Sequence, residues 1–301
     1  MKLIAVRIRF CLIVALALSG GGLRALAQHV HLYAGAASQQ PGSKLIVVNA
    51  VTYDINSNGG TTPECFFMSD NYPELYPGLY QSDATFAALP ATLCAGGPAP
   101  NCAALGTYIE ARLVSVTGPK GGEIGFWHEN EDATETTKVF SVPSGTSSTN
   151  RFNVSEGFTF TPFPDCGIDP DGHNPDPFGH IHGRRFTANK LGLYIVGFQL
   201  IDTATNGLNG ASRHAPSVTN YFYFQAGLNI NTVAKTNSAV TVGFGARPFA
   251  NYDFQISTNL ATTNWFTIES YIGNFHSHLQ HLTDPNATNA ARFYRLQEFL
   301  Q

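Results

Sequence analysis

Apolar and polar residues alternate along short segments of this chain, and turn-forming residues separate the segments. Such alternation is typical of β-strands that bury one face. It predicts strands at 29–34, 44–51, 108–117, 122–128, 137–142, 157–162, 192–202 and 220–226. Further strand patterns follow at 229–242, 252–257, 265–271 and 291–297. The sequence therefore predicts an all-β protein of two β-sandwich domains.

The pattern changes at two places. Residues 54–106 carry many prolines and scattered aromatic residues, which predicts a long insertion in the first sandwich, with one short helix within 82–93. Near residue 229, Asn-rich turns begin to separate the strands. We expect a larger sandwich over 28–228 and a small one over 229–301. In the small sandwich the alternation points four side chains inward: Phe254, Ile256, Trp265 and Phe293.

Residues 1–27 have the pattern of a cleavable secretory signal. Lys2 and Arg7 give a positive start, residues 10–18 are apolar, and Ala25 and Ala27 occupy the positions that a signal peptidase reads. The apolar run is shorter than the roughly 20 residues that a membrane-spanning helix needs. We therefore expect export to the periplasm, cell surface or extracellular space, without a membrane span in the mature chain.

Composition adds to this picture. Charged residues are 13% and aromatic residues 12% of the chain, which also has 29 glycines and 17 prolines, a balance that favours short strands over helices. The net charge is −4 and no basic cluster is present. Because phosphate binding needs clustered cations, we expect no nucleic-acid partner.

The cysteines predict a disulfide framework. Cys11 belongs to the signal, which leaves an even set in an oxidising compartment: Cys65, Cys94, Cys102 and Cys166. Cys94 and Cys102 bracket a turn-rich loop, so we expect the pairs Cys94–Cys102 and Cys65–Cys166 to pin the insertion. The other connectivities stay open.

Histidine placement is the main indication of chemistry. The motifs His29-x-His31 and His180-x-His182 each place two imidazoles on one face of a strand. Two such pairs on adjacent strands would form a four-nitrogen site for a transition metal. Zinc is the main expectation, with copper or manganese as alternatives. His173 and His214 are further candidate ligands, and His128 is another if its strand neighbours the pairs.

Two other clusters predict no function. The acidic stretch 128–132 indicates solvated loop charge. The histidines His276, His278 and His281 fall between strand patterns and predict an exposed loop cluster, with an adventitious metal site as the alternative.

No catalytic constellation is present in the sequence. It lacks a Gly-x-Ser-x-Gly elbow, a His-Glu-x-x-His helix and a phosphate-cradling glycine loop. We therefore expect a metal-binding protein in metal handling and not an enzyme. Two alternatives stay open: a purely structural surface or adhesion protein, and a histidine-brace copper protein whose mature chain begins at His29.

Two segments resemble known families. Gly125-Phe-Trp-His, Val139-Phe-Ser-Val-Pro-Ser-Gly and the segment that begins Gly179-His-Ile-His-Gly resemble the surface-anchored domain of actinobacterial wall proteins, over residues 120–226. The resemblance implies a cell-surface β-sandwich in a family linked to zinc or manganese uptake, with a surface or transport partner. Only His180 and His182 match the family's histidine motif by position.

The C-terminal segment resembles another exported module. Tyr252-Asp-Phe-Gln-Ile-Ser-Thr-Asn-Leu and Asn264-Trp-Phe are similar to a C-terminal module of verrucomicrobial proteins. That resemblance implies a fibronectin-like or immunoglobulin-like sandwich with a structural role.

Overall fold

The computed structural model describes residues 30–57, 62–82, 84–89, 98–104, 106–130, 134–154, 184–205, 207–261, 264–288 and 292–300. Nearly all regular structure in these ranges is β-structure, which confirms the predicted fold class. Within the same ranges, the only α-helix is the short α1 (Ala50–Tyr53), and a 3-10 turn spans Leu208–Gly210.

Nineteen strands make up the described fold. Those of the first part are β1 (Val30–Ala36), β2 (Leu45–Val47), β3 (Cys65–Met68), β4 (Tyr80–Ser82), β5 (Ala84–Ala88), β6 (Ile109–Thr117), β7 (Glu123–Glu129), β8 (Thr136–Pro143), β9 (Thr146–Ser147), β10 (Arg151–Asn153), β11 (Arg184–Ala188), β12 (Gly192–Asp202) and β13 (Asn220–Ala226). Those of the second part are β14 (Ile230–Thr236), β15 (Ala239–Ala246), β16 (Ala250–Ser257), β17 (Phe266–Tyr271), β18 (His278–Asp284) and β19 (Phe293–Leu300).

Three sheets enclose the larger core. One has the order β10-β6-β12-β13-β3, with β9 also paired to β6, and the others have the orders β2-β1-β5 and β4-β11-β7-β8. Alternate residues of all three sheets bury their side chains in one cluster. At its centre Phe186 lies between Phe126 and Phe198, at centroid distances of 5.2 and 5.5 Å. Each fully buried ring stabilises the fold by about 2 kcal/mol.

A second, separate core lies between the sheets β14-β15-β18 and β17-β16-β19. Phe244, Tyr252 and Phe254 fill it and are almost fully buried. Of the side chains predicted to point inward, Phe254 belongs to this core, whereas Ile256, Trp265 and Phe293 are half-buried. These three lie at one end of their sheet, where Ile256 pairs with Phe266 and Ser257 with Phe293, so fewer neighbours cover them.

The segment 54–106 is built into the larger sandwich, contrary to the expectation of a mostly irregular insertion. It supplies β3, β4 and β5, which belong to three different sheets. β5 pairs in parallel with β1, and β3 pairs in parallel with β13. The predicted helix within 82–93 is wrong, because Ala84–Ala88 is a strand that is buried along its whole length. A strand covered on both faces shows no alternation, and its sheet contacts override the helical preference of alanine.

Two predicted strands end earlier than their patterns suggested. The pattern at 229–242 contains a hairpin, because the chain turns at Asn237, where φ is 54°, and returns as β15. Asn tolerates this left-handed conformation better than most residues. The pattern at 44–51 stops at Val47 and is followed by α1. The strand predicted at 157–162 lies outside the described residues.

No helix in the described part of the chain is both long enough and apolar enough to cross a membrane.

Candidate metal centre

His31 lies near the start of β1, on the face opposite the core. Its neighbours Val30 and Leu32 contact the larger core, whereas His31 is half-buried on the outer face. Its ring contacts Tyr33 edge to face, with 5.8 Å between centroids. His29 precedes the described residues. The one described member of the first histidine pair is thus held on a strand with its side chain outside the core.

Asn49 fixes the backbone around His31. Its Nδ2 donates to the His31 carbonyl over 2.8 Å, and its Oδ1 accepts from the Tyr33 N–H over 3.0 Å. β2 pairs with β1 only at Ala34–Ala36, so the Asn49 amide satisfies the edge of β1 where no strand pairs with it. This side chain therefore keeps the start of β1 in an extended conformation.

His173, His180 and His182 lie in the range 155–183, outside the described residues. The description resumes at Arg184, the first residue of β11 and the second residue after His182. β11 pairs with β4 on one side and with β7 on the other. The second histidine pair is therefore joined directly to a strand in the middle of a sheet.

β1 and β11 flank the same stretch of chain. β4, which pairs with β11, ends at Ser82, and β5, which pairs with β1, begins at Ala84. β5 also contacts β11. The strand that carries His31 and the strand that follows His182 are therefore close neighbours in the fold.

His128 lies on β7, directly opposite Arg184. Partial burial lowers the pKa of His128, and the nearby Arg184 guanidinium lowers it further. Both effects favour the neutral imidazole, which is the form that binds metals. The strand of His128 thus neighbours the strand that follows the second pair, which was the condition for counting it as a candidate ligand.

The His214 ring is buried and forms hydrogen bonds with backbone groups. The residue is 1% exposed, its Nε2 accepts from the Ala104 N–H over 3.0 Å, and its Nδ1 lies 3.0 Å from the Ser43 carbonyl, to which it donates. Its backbone N–H donates to Asp202 Oδ2 over 3.0 Å. With both ring nitrogens engaged, His214 offers no lone pair to a metal in this arrangement.

The described cysteines are buried thiols. Cys65 and Cys102 carry no disulfide in the structure, and burial raises the pKa of Cys65 to about 12. Cys102 Sγ accepts a hydrogen bond from Gln39 Nε2 over 2.9 Å. The partners predicted for them, Cys166 and Cys94, lie outside the described residues, so both disulfides stay predictions.

Glu129 is not the solvated loop charge that the sequence predicted. Its Oε1 accepts from Arg185 Nε over 2.5 Å and from the Tyr76 hydroxyl over 2.6 Å, and both charged side chains are 8% exposed. Arg185 also stacks on Tyr72, 4.7 Å from its ring centroid. Burial, followed by the interaction with Glu129, raises the pKa of Tyr76 above the normal range. The outer face of β7 and β11 is therefore covered by the segment that precedes β4.

No signal in the sequence links these residues. Tyr72, Tyr76, Glu129 and Arg185 come from three distant stretches, and only the pairing of β7 with β11 brings the two charges together. The described contacts of these side chains are with one another: Glu129 accepts from Arg185 and Tyr76, and Arg185 stacks on Tyr72. The cluster therefore stabilises the fold next to the candidate centre and supplies no open ligand position.

In the described part of the chain, no group of three or more His, Cys, Asp or Glu side chains could hold a metal ion. That finding covers His31 but not His29, His180 or His182. No protein-family model matches this chain, and no curated protein and no solved structure matches it either.

Proposed function

We propose that this chain is an exported protein that binds a transition metal, with zinc as the first choice, through His29, His31, His180 and His182. It serves in metal handling at the cell surface or in the periplasm, and it binds the metal without turnover.

One observation carries the proposal. β1 begins beside His29 and contains His31, β11 begins two residues after His182, and both strands flank residues 80–88. β5 pairs with β1 and contacts β11, so the two histidine pairs lie at or next to the starts of strands that are close in the fold, and imidazoles from both can converge on one ion. A fold that separated these strands would argue against a shared site.

The character of the described histidines also supports this set. His31 is half-buried on the face of β1 opposite the core, and its Nε2 is buried. We leave His214 out of the ligand set because protein groups contact both its ring nitrogens. His128 lies opposite Arg184 at the start of β11, and a neutral imidazole suits zinc and copper.

Metal content of the mature, untagged chain tests the proposal. The protein is equilibrated with zinc, separated from free ion and analysed by mass spectrometry of the element. We expect about one zinc per chain, as for a four-ligand site. His180→Ala/His182→Ala should weaken zinc binding by more than about 100-fold, because even outer-shell groups of zinc sites are worth 10–100-fold.

His281→Ala is the matched control. This histidine is exposed on β18 of the smaller sandwich, so its loss should leave zinc content unchanged. Near-zero metal in the parent chain and in both variants would contradict the proposal and favour a structural surface protein. Bound copper in a mature chain that begins at His29 would favour the histidine brace instead.

A further inference from the structure

Three large apolar side chains project from one end of the smaller sandwich. Phe249 lies in the turn before β16, and Ile272 and Phe275 lie in the loop between β17 and β18. They are 52%, 76% and 76% exposed, and the rings of Phe249 and Phe275 meet edge to face with 5.2 Å between centroids. We call these three side chains the apolar tip. Exposed apolar residues that lie singly are ordinary, whereas a group of them marks an interaction site.

Backbone contacts hold the two loops of the apolar tip together. Phe249 donates its N–H to the Asn274 carbonyl over 2.9 Å, and Gly273 donates its N–H to Asn251 Oδ1 over 3.1 Å. Gly273 also packs so closely on β16 that a Cβ atom at this position would clash with the Ala250 carbonyl oxygen. The apolar tip is therefore preformed, which lowers the entropy that binding costs.

The backbone of Phe249 adopts a conformation that disfavours a bulky side chain. Its φ is 59°, in the left-handed region that glycine and asparagine tolerate best. The other non-glycine residues with positive φ in the described chain are all asparagines: Asn101, Asn209 and Asn237. The Phe249 ring is half exposed and adds little to the core, so this strain points to a role in binding.

The two loops that carry the apolar tip contain no charged residue. Neither 248–252 nor 270–275 includes an Asp, Glu, Lys, Arg or His. A charged group is costly in hydrocarbon, whereas Phe and Ile gain free energy when they leave water. Loops of this composition are therefore suited to enter the apolar layer of a lipid bilayer.

The ionisable side chains that flank these loops interact within the protein. Arg247 Nη1 lies 3.9 Å from Glu298 Oε2, and His276 Nδ1 lies 3.1 Å from Glu64 Oε2. Attraction to anionic lipid headgroups depends on clustered cations near the surface. Because each of these side chains faces a carboxylate, the contact with lipid depends on apolar burial and not on charge.

The apolar tip is too small to form a stable protein interface by itself. An aromatic side chain buries about 150–250 Å². At the observed exposures, the three side chains would bury on the order of 400 Å², about half of the roughly 800 Å² per partner of a standard interface. A bilayer requires no complementary surface, because its acyl chains rearrange around an inserted group. The size of the tip therefore favours a lipid surface over a second copy of the chain.

The larger sandwich leaves the apolar tip exposed. It contacts the smaller sandwich through β14 and β15 and at the start of β18, which belong to one sheet. There Glu64 forms an isolated antiparallel bridge with His278, and the Cys65 N–H donates to the Ser277 carbonyl over 2.9 Å. The apolar tip flanks β16 and β17 of the other sheet. The histidine cluster predicted to be an exposed loop feature is thus partly an interdomain contact, and the tip stays open beside it.

We infer that the apolar tip inserts into a lipid bilayer and brings the exported chain reversibly to a membrane surface. The three side chains enter the boundary between headgroups and acyl chains, about 5–10 Å deep, while both sandwiches stay in water. The tip exposes about as much hydrocarbon as one short acyl chain, and a single such chain binds bilayers with an association constant on the order of 10⁴ M⁻¹. The tip shares no residue with the proposed histidine set, so this contact does not require zinc.

Sedimentation of the mature, untagged chain with sucrose-loaded phosphatidylcholine vesicles tests the inference. At about 1 mM accessible lipid, we expect roughly half or more of the protein to sediment with the vesicles. Addition of EDTA, or of about 0.5 M sodium chloride to screen charges, should leave the bound fraction unchanged. Binding that appeared only with anionic phosphatidylglycerol would overturn the apolar mechanism, as would an absence of binding at about 10 mM lipid.

The variant Phe249→Gly/Ile272→Ser/Phe275→Ser should lower the vesicle association constant at least about tenfold, because it removes the exposed hydrocarbon of the tip. Glycine adopts a positive φ without strain, so the smaller sandwich should keep the unfolding midpoint of the parent chain. The matched control, Leu260→Ser/Phe266→Ser, removes side chains that are 61% and 64% exposed at the opposite end of the β16–β17 pair, and it should bind as the parent chain does. Equal binding of the tip variant and the parent chain, or an equal loss in the control, would overturn the inference.

Discussion

Replacement of Glu129 by Gln should destabilise the larger sandwich strongly. The side chains of Glu129 and Arg185 are both 8% exposed and lie 2.5 Å apart, so little solvent is available to stabilise the Arg185 charge once the carboxylate charge is lost. Loss of one partner of a buried ion pair costs about 3–5 kcal/mol of unfolding free energy. With a urea m-value of about 2 kcal/mol/M, a cost of 4 kcal/mol lowers the unfolding midpoint by about 2 M.

Tryptophan fluorescence can follow each sandwich separately, because the chain has two tryptophans and each sandwich contributes one. Trp127 lies on β7, with its ring 5.4 Å from that of Tyr76, and Trp265 precedes β17. Urea unfolding in a Trp265→Phe background therefore reports the larger sandwich. In a Trp127→Phe background, Glu129→Gln should leave the Trp265 transition nearly unchanged.

The double variant Glu129→Leu/Arg185→Met tests whether the unpaired Arg185 charge causes the loss of stability. It removes both charges, so it should cost less than Glu129→Gln alone, since apolar replacements of buried pairs are often close to neutral. A cost below about 1 kcal/mol for Glu129→Gln would refute the reasoning, because that is the value of a solvated pair. A double variant that is as unstable as the single one would show that the charge itself is not the cause.

Two further outcomes are expected. His214→Ala should lower the urea midpoint of the Trp127 transition by the equivalent of about 2 kcal/mol or more, because it leaves the Ala104 N–H and the Ser43 carbonyl without their partner. The zinc content per folded chain should match that of the parent chain. A parallel loss of zinc would contradict the structural role of this ring. Asp284→Asn should destabilise the smaller sandwich by about 3 kcal/mol in the Trp265 transition, because the 2% exposed carboxylate binds Arg292 and accepts from the Tyr294 hydroxyl over 3.0 Å. Burial raises the pKa of Asp284, but its hydrogen bonds and Arg292 outweigh this and hold the pKa below its usual value. The stabilisation by this carboxylate is therefore present above the ordinary aspartate pKa and is lost as the pH falls through the lowered value. An Asn variant that showed the same acid dependence as the parent chain would contradict this assignment.

Local pattern predicted the long strands well. β6, β7, β12 and β13 fall within one residue of their predicted bounds, because each alternates between core and surface. The same logic failed for β5, which is buried on both faces and has no alternation to detect. It also missed the turn at Asn237, because the alternation continues from β14 into β15 with the same residue types.

Residue spacing in the sequence could predict only part of the candidate metal centre. Spacing alone nominated His31 as one of a same-face pair, and its position outside the core on β1 is compatible with that role. Spacing could not distinguish His214 from an open ligand, because its partners Ser43 and Ala104 are far away in the chain. It also could not reveal that His278 faces Glu64 of the other sandwich.

By itself, the sequence determined the class of fold, the position of most strands and the spacing of the histidines. These properties follow from side-chain alternation and residue type, which are local. The tertiary structure decided that β5 pairs with β1 and contacts β11, that Glu129 is buried against Arg185, and that Glu64 of the larger sandwich bridges to His278 of the smaller one. Each of these depends on contacts between distant segments, whose pairing is selected by burial of the whole core and is not written in any one stretch of the chain.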